Sequence, residues 1–254
     1  MLWAIDVGNT QTVVAIHDGS SWIAHWRQET DAPRTEDEIA ASLWPLAQMA
    51  GIPFEATGVT IASVVPPVES NWVRFSSKYL KQEALFLRDG ASVGIPVDYR
   101  PANAVGADRI ANALAVAEAQ ELPAIVVDFG TATTFDCIGG DGTYLGGSIM
   151  PGILVSLSSL VGRTAKLPAV AIEAPAQAIG KDTVGALQSG VVLGYAGAVD
   201  TLITKLSAEF ADQPKVLATG GLGKVFVDLC EKIDRYEAML TMDGLRIAYD
   251  RLRS

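Results

Sequence analysis

The sequence predicts an α/β protein of two similar lobes, each with a mixed sheet flanked by helices. Its opening half reads as three strand-like segments followed by alternating helices and strands, which is the element order of an α/β layer. The pattern of residues 5–12, IDVGNTQT, returns at residues 125–135, IVVDFGTATTF. A chain of 254 residues is also of the size at which one domain commonly divides into two. We therefore expect lobes at residues 1–120 and 121–254.

Apolar periodicity and turn residues predict the individual elements. Predicted strands in the first lobe are 2–6, 12–17, 21–28, 58–65 and 84–87, and predicted helices are 35–49, 68–80 and 110–120. Predicted strands in the second lobe are 125–128, 133–138, 143–149, 215–218 and a short one near Tyr236, and predicted helical regions are 153–161, 179–210 and 242–252. Thr35 and Glu38 form a capping-box pattern at the first helix, and Asp243 is expected to cap the last.

Glycines recur in the predicted helical region 179–210, at positions 185, 190, 194 and 197. Each glycine in a helix interior costs roughly 1 kcal/mol. This cost indicates close packing, either against a neighbouring helix or against another subunit.

An acidic residue closes the first strand of each repeat and leads into a turn of glycine and small polar residues. Asp6 precedes Gly8-Asn9-Thr10, and Asp128 precedes Gly130-Thr131. Backbone N–H groups in such turns bind anions, and a single carboxylate suits a Mg²⁺ ion that keeps most of its waters. Each motif alone would also fit an ordinary β-hairpin. Together, 128 − 6 = 122 residues apart, they predict two facing turns that hold one nucleotide polyphosphate.

Composition disfavours several classes of function. A net charge of −10 argues against nucleic acid as a partner. Cys137 and Cys230 lack the spacing of a redox or zinc motif and are expected to be reduced thiols. With only His17 and His25, histidine metal sites and Ser-His-Asp catalysis are nearly excluded. No signal peptide and no apolar run of about 18 residues is recognised, so we expect a cytoplasmic protein without a membrane partner.

The common single-loop nucleotide motifs are absent from the sequence. Gly223-Lys224 and Gly180-Lys181 are not followed by the Ser or Thr of a Walker A loop, and no GxGxxG follows a strand. What remains is a split site of two acidic turns and a glycine pair, Gly220-Gly221, where an adenine ring could approach the backbone.

This tripartite arrangement resembles the acetate kinase, sugar kinase, Hsp70 and actin superfamily. Eight strings in this order, over essentially the whole chain, are similar to those of type III pantothenate kinases: DVGNT, GADR, DFGTATT, GGSIMPG, RTAKLP, GKDTV, ALQSG and ATGGL. The resemblance implies two ribonuclease H-like (actin-like ATPase) lobes with the active site in the cleft between them. It also implies phosphoryl transfer from ATP to pantothenate, giving 4′-phosphopantothenate for coenzyme A synthesis, in a homodimer.

Two other functions remain open at this point. One is another small-molecule kinase of the same superfamily, such as a sugar kinase. The other is a non-catalytic accessory factor for transcription, which the acidic balance of the chain disfavours.

The resemblance assigns ATP and metal contacts to individual residues. The expected ATP contacts in the first turn are Asp6, Val7, Gly8, Asn9, Thr10, Gln11, Thr12 and Val13. Asp6 is also expected to position Mg²⁺. Asp128 is expected to bind a monovalent cation, K⁺ or NH₄⁺, and Thr131 to contact ATP.

The resemblance also assigns the acceptor side of the site. Asp108 is expected to act as the catalytic base, although the residues alone would favour an acid stabilised by a helix N-terminus, worth about 0.3–1 kcal/mol. Arg109 is expected to hold the pantothenate carboxylate through a bidentate fork, or else to form an ion pair. The other implied contacts are Tyr99, Gly106, Ala107 and, from the partner subunit of the dimer, Thr183. Arg163 and Lys166 are assigned structural or interface roles.

Overall fold

A computed structural model describes residues 1–31, 33–164 and 167–253 of the chain. The chain divides into two compact units, Met1–Ala115 with Leu240–Ser254 and, separately, Val116–Met239. Each unit is built on a five-stranded mixed sheet with helices packed on it. The predicted α/β class with two sheet-based lobes is therefore confirmed.

Five strands form the first sheet: β1 (Leu2–Val7), β2 (Gln11–His17), β3 (Trp22–Glu29), β4 (Gly58–Ser63) and β5 (Ala84–Leu87). Their order is β3-β2-β1-β4-β5, in which β1 pairs antiparallel with β2 and parallel with β4. All residues of β1 except Asp6 are buried, as expected for the central strand of a sheet covered on both faces. Asp6 is thus the one residue of this strand that reaches solvent.

Five further strands form the second sheet: β6 (Ala124–Phe129), β7 (Ala132–Ile138), β8 (Tyr144–Pro151), β9 (Lys215–Thr219) and β10 (Arg235–Tyr236). Their order, β10-β9-β6-β7-β8, repeats the first sheet strand for strand, with β6 in the place of β1. Asp6 and Asp128 are each the last residue but one of the central strand. The repeat in the sequence is therefore a repeat of topology.

The helices of the described residues are α1 (Glu36–Met49), α2 (Pro66–Phe75), α3 (Ala107–Glu118), α4 (Ile153–Gly162), α5 (Thr183–Gln188), α6 (Gly194–Ser207), α7 (Gly223–Phe226) and α8 (Leu240–Leu252). The predicted capping box is confirmed, because the Thr35 hydroxyl accepts from the Glu38 N–H at 3.3 Å and Glu38 accepts from the Thr35 N–H at 2.7 Å. Helix α2 begins two residues earlier than predicted, since Pro66-Pro67 fits the first turn, where no N–H donor is needed.

The C-terminal helix α8 packs on β1, β4 and β5 of the first unit, although the sequence places it within the lobe 121–254. Asp243 was predicted to cap this helix. It lies instead within the first turn and accepts a hydrogen bond from the Trp22 indole N–H at 2.8 Å. A Cβ atom on Gly244 would stand 1.9 Å from the Ala111 carbonyl oxygen of α3. This glycine therefore allows α8 and α3 to touch through their backbones.

In the second unit, α5, a π-helical turn at Ser189–Leu193 and α6 form one helical run, Thr183–Ser207. Asp182 caps it by accepting from the Gly185 N–H at 2.8 Å. The run buries Val192, Val199 and Ile203 in the core of this unit. It is also long and apolar enough to cross a membrane by composition, with a mean hydropathy of 1.3, a test that core helices of soluble proteins pass as well.

Candidate active site

The first acidic turn projects from the end of β1. Asp6 is paired with Val13 of β2 and with Ala62 of β4, and the turn closes through the Gly8 N–H, which donates to the Gln11 carbonyl at 3.1 Å. Asn9, Thr10 and Gln11 are exposed, whereas Val7 and Thr12 are buried. The surface of this turn is consequently formed by three of the predicted ATP contacts.

The Thr12 hydroxyl faces away from that surface. It is hydrogen-bonded to the Thr30 hydroxyl at 2.9 Å, and the Thr30 N–H donates to the Thr10 carbonyl at 2.9 Å. Thr12 is one of the expected ATP contacts, and in the structure its buried hydroxyl is used in this bond to Thr30, beside the turn. Nothing in the local sequence marked Thr30, because its contact depends on the pairing of β2 with β3.

The second acidic turn repeats this geometry with one residue fewer. Asp128 is paired with Thr134 of β7 and Thr219 of β9, and the Gly130 N–H donates to the Ala132 carbonyl at 3.1 Å. The last paired residues of β6 and β7 are connected by three residues, 130–132. Those of β1 and β2 are connected by four, 8–11. Thr131 is exposed at the tip.

Gly220, directly after β9, lies against the Asp128 carboxylate. Its φ is +85°, and a Cβ atom at this position would stand 2.4 Å from Asp128 Oδ1 and 2.7 Å from the Phe129 nitrogen. The Tyr236 hydroxyl donates to the Gly220 carbonyl at 3.1 Å. The sequence predicts contact of this glycine with adenine, and the structure adds that a glycine is needed here for the backbone to pass close to Asp128.

Asp108 lies in the first turn of α3 and is half-buried. One carboxylate oxygen accepts a hydrogen bond from the Arg109 N–H at 2.9 Å. Burial raises the pKa of Asp108 above its usual value, and this effect outweighs the opposing influence of the Arg109 N–H and guanidinium. A carboxylate with a raised pKa is a stronger base than an exposed one, which suits general base catalysis.

Backbone contacts connect the Asp108 segment to the strand that carries Asp6. A Cβ atom on Gly106 would stand 2.4 Å from the Asp108 carboxylate and 3.4 Å from a Val64 methyl group. Val64 follows β4, and its N–H donates to the carbonyl of Val7, the residue after Asp6, at 3.1 Å. The Gly106 backbone, two residues before Asp108, therefore lies close to Val64, which is hydrogen-bonded to the end of β1 that carries Asp6.

The other residues predicted to contact pantothenate differ in exposure and in position along the chain. Ala107 and Arg109 are buried, at 5% and 7% exposure, and Tyr99 is 37% exposed in the irregular segment before α3. Thr183 belongs to the second unit, where it is exposed as the first residue of α5. Arg163 is exposed at the end of α4, and Lys166 lies outside the described residues.

Among the described residues, no three His, Cys, Asp or Glu side chains are grouped so as to hold a metal ion. Mg²⁺ does not require such a cage, because it usually keeps several waters and binds one or two carboxylates together with substrate phosphates. Asp6, which reaches solvent beside an exposed turn, fits this mode of binding.

Solved structures with low sequence identity share the fold. A putative 2-dehydro-3-deoxygalactonokinase from Sinorhizobium meliloti matches with a TM-score of 0.57 at 12% identity, over 100% of this chain and 96% of that one. A putative Baf family transcriptional activator from Campylobacter jejuni matches with a TM-score of 0.60 at 18% identity, over 98% and 97%. The paired topology and these matches thus show that the chain has the two-lobed, actin-like fold that the sequence predicts.

Comparison with related sequences identifies the family of this chain. A family model described as type III pantothenate kinase matches residues 2–205. Type III pantothenate kinases from Anaeromyxobacter sp. (strain Fw109-5) and Desulfatibacillum aliphaticivorans are 43% and 45% identical, over 100% and 99% of both chains. The chain belongs to the type III pantothenate kinase family and is an ATP-dependent kinase.

Proposed function

We propose that this chain transfers the γ-phosphoryl group of ATP to the primary hydroxyl of pantothenate, giving 4′-phosphopantothenate, the first step of coenzyme A synthesis. The observation that carries the proposal is the equivalence of Asp6 and Asp128. Each stands next to an exposed turn at the end of a central strand, in two sheets of the same topology. Membership of the type III pantothenate kinase family supports pantothenate as the substrate that accepts the phosphoryl group.

Both turns contribute to one nucleotide site in this proposal. Asp6 and the residues up to Val13 contact the ATP phosphates, and Thr131 provides a further ATP contact. Asp6 would hold Mg²⁺, which, when bound, neutralises charge on the phosphates. Asp128 would hold K⁺ or NH₄⁺. A monovalent cation there supplies the positive charge that a Walker lysine gives to other kinases.

Asp108 accepts the proton of the pantothenate hydroxyl as that oxygen attacks the γ-phosphorus, and the bond from the γ-phosphorus to the bridging oxygen breaks to release ADP. Phosphoryl transfer depends mainly on positioning and charge stabilisation, so the groups that fix the acceptor matter as much as the base. Arg109 binds the pantothenate carboxylate, and Tyr99, Gly106 and Ala107 line the acceptor. The proximity of Gly106 to Val64, which is hydrogen-bonded to the end of β1 beside Asp6, supports this assignment.

A substrate comparison tests the proposed reaction. We expect ATP consumption with pantothenate to exceed that with hexoses greatly, and to be higher in K⁺ buffer than in buffer containing Na⁺ alone. Faster turnover of a hexose would contradict the substrate, and equal rates in the two buffers would contradict the role of Asp128. Operator DNA binding without kinase turnover would instead identify an accessory factor.

The chain is proposed to act as a cytoplasmic homodimer through the surface of the second unit that carries the helical run Thr183–Ser207. A Cβ atom on Gly190, Gly194 or Gly197 would meet no described atom of the chain within 4 Å. Packing against the described residues therefore does not explain these glycines. Nearby elements expose large apolar side chains: Leu154, Val155, Leu160, Ile179 and Val184. A subunit contact accounts for both features, and Thr183 of the partner subunit then reaches pantothenate.

Gly197→Leu tests the dimer. Within one chain the added side chain meets open space and removes the helix cost of glycine, but it would clash in a tight contact between subunits. We expect sedimentation velocity to show a folded monomer with a lower kcat/KM for pantothenate. Gly140→Leu, in the open turn between β7 and β8, is the matched control and should stay dimeric. A dimeric Gly197→Leu protein with unchanged kinetics would contradict the proposal.

A further inference from the structure

One hydroxyl group ties β7, the strand that follows the second acidic turn, to its neighbour β8. Tyr195, on α6, is buried, and its hydroxyl is hydrogen-bonded to the Thr133 hydroxyl at 2.7 Å. The same hydroxyl donates to the Pro151 carbonyl at 3.0 Å. Thr133 is the second residue of β7, and Pro151 is the last residue of β8. Tyr195 thus fixes both strands where the turn leaves the sheet.

The ring of Tyr195 holds the other side of the same turn. It packs on Phe226 with the ring centroids 5.3 Å apart, and Phe226 stacks on Phe129 at 5.0 Å with nearly parallel planes. Phe129 follows Asp128 directly and pairs with Thr133 across the sheet. Hydroxyl and ring together therefore restrain the residues on both sides of Gly130 and Thr131.

The first unit braces its turn at the equivalent positions by other means. Thr12 pairs with the last residue of β1, and Thr133 pairs in the same way with the last residue of β6. The Thr12 hydroxyl is hydrogen-bonded to the Thr30 hydroxyl. The Thr30 N–H donates to the Thr10 carbonyl, and the Gly152 N–H donates likewise to the Thr131 carbonyl at 3.0 Å. Gly152 thus takes the place of Thr30 but has no side chain. The hydrogen bond to the buried Thr133 therefore comes from Tyr195 on helix α6 instead. The recurrence of a braced threonine behind both turns indicates a shared need for a fixed turn.

We propose that Tyr195 is a positioning residue for nucleotide binding, which acts by holding the Gly130–Thr131 turn through Thr133 and Pro151. The proposal rests on the proposed function in that it takes this turn as part of the ATP site. Tyr195 itself is buried, and the proposal assigns it no contact with either substrate. Burial raises the pKa of Tyr195, so the hydroxyl keeps its proton and remains a donor across the physiological pH range.

Tyr195→Phe removes the hydroxyl and keeps the ring. This removes the bonds to both Thr133 and Pro151. We expect the Kd for a non-hydrolysable ATP analogue with Mg²⁺, measured by titration calorimetry, to rise by at least on the order of tenfold. The KM for pantothenate should stay near its wild-type value. Thr133→Val leaves the bond from Tyr195 to Pro151, so it should raise the nucleotide Kd by no more than Tyr195→Phe does. The double variant should bind no more weakly than Tyr195→Phe, because that substitution already removes the bond to Thr133.

Tyr249→Phe is the matched control. Its hydroxyl donates to the Thr57 carbonyl at 3.2 Å in the first unit, so its loss should leave the nucleotide Kd unchanged. A Tyr195→Phe protein that is less stable but binds the analogue normally would overturn the proposal, as would additive effects of the two substitutions in the pair. Failure of the wild type to phosphorylate pantothenate would overturn the proposed function instead, since the titrations need no acceptor.

Discussion

The Asp108→Asn variant is expected to lose about 10²- to 10⁴-fold in turnover, the usual contribution of a general acid or base. Asparagine can still accept the hydrogen bond from the Arg109 N–H, so the start of α3 should keep its geometry. The asparagine amide, however, cannot take the proton from the pantothenate hydroxyl. In the wild type, turnover should fall as the pH drops through the raised pKa of Asp108, at a higher pH than for an exposed aspartate.

The same substitution is expected to stabilise the fold. Because the pKa of Asp108 is raised on folding, the folded state binds more protons than the unfolded state between the two pKa values. The free energy of unfolding therefore falls as the pH rises through this window, and the deficit persists at neutral pH. Removing the buried charge removes the deficit, so the thermal midpoint at neutral pH should rise.

Asp18→Asn is the matched control for Asp108→Asn. Hydrogen bonds from the N–H groups of Ser20 and Ser21 lower the pKa of Asp18 to about 2, so this exposed carboxylate stabilises the fold at neutral pH. Asp18→Asn should lower the thermal midpoint and leave turnover unchanged. Near-normal turnover of a folded Asp108→Asn protein would contradict the assignment of the base.

Gly220→Ala is expected to impair both stability and turnover. A left-handed φ of +85° costs an alanine about 1–2 kcal/mol. The new methyl group would also stand 2.4 Å from Asp128 Oδ1 and 2.7 Å from the Phe129 nitrogen, so the Asp128 carboxylate and strand end must shift. A displacement of about 1 Å in a site can cost 10²-fold in rate, and we expect a loss of this order, with weaker activation by K⁺.

Gly142→Ala separates the two causes. Gly142 has almost the same φ, +84°, in the same unit, but the nearest atom to an added Cβ is a Leu122 methyl group at 3.8 Å. This variant should lose only the about 1–2 kcal/mol of backbone strain, measured by denaturant unfolding, and should turn over normally. Equal stability and turnover of the two variants would show that Gly220 is not required by Asp128.

Local sequence patterns predicted the parts of the fold that depend on neighbouring residues. The strands of both repeats, the capping box at Thr35 and the helical run before Ser207 all rest on periodicity or on contacts a few residues apart. The equivalence of Asp6 and Asp128 was also readable, because a repeated pattern reports a repeated supersecondary unit.

Contacts between distant segments were not predictable in this way. The bond from Trp22 to Asp243 spans 221 residues, and the packing of Gly244 on Ala111 joins α8 to α3, so no local pattern could place α8 in the first unit. Within the candidate site, the inward hydroxyl of Thr12 and the bond from Tyr195 to Thr133 depend on strand pairing and helix docking. Sequence patterns identified the residues of the turns, whereas the groups that brace them required the structure.

Nucleotide titration of Asp6→Asn and Asp128→Asn most directly tests the claim that two equivalent acidic turns serve one ATP. Calorimetry with a non-hydrolysable ATP analogue, Mg²⁺ and K⁺ should give one nucleotide bound per wild-type chain. Each substitution should weaken binding at that single site, and replacing K⁺ by Na⁺ should weaken wild-type binding as Asp128→Asn does. Two nucleotides per chain, or unchanged affinity in either variant, would contradict the account.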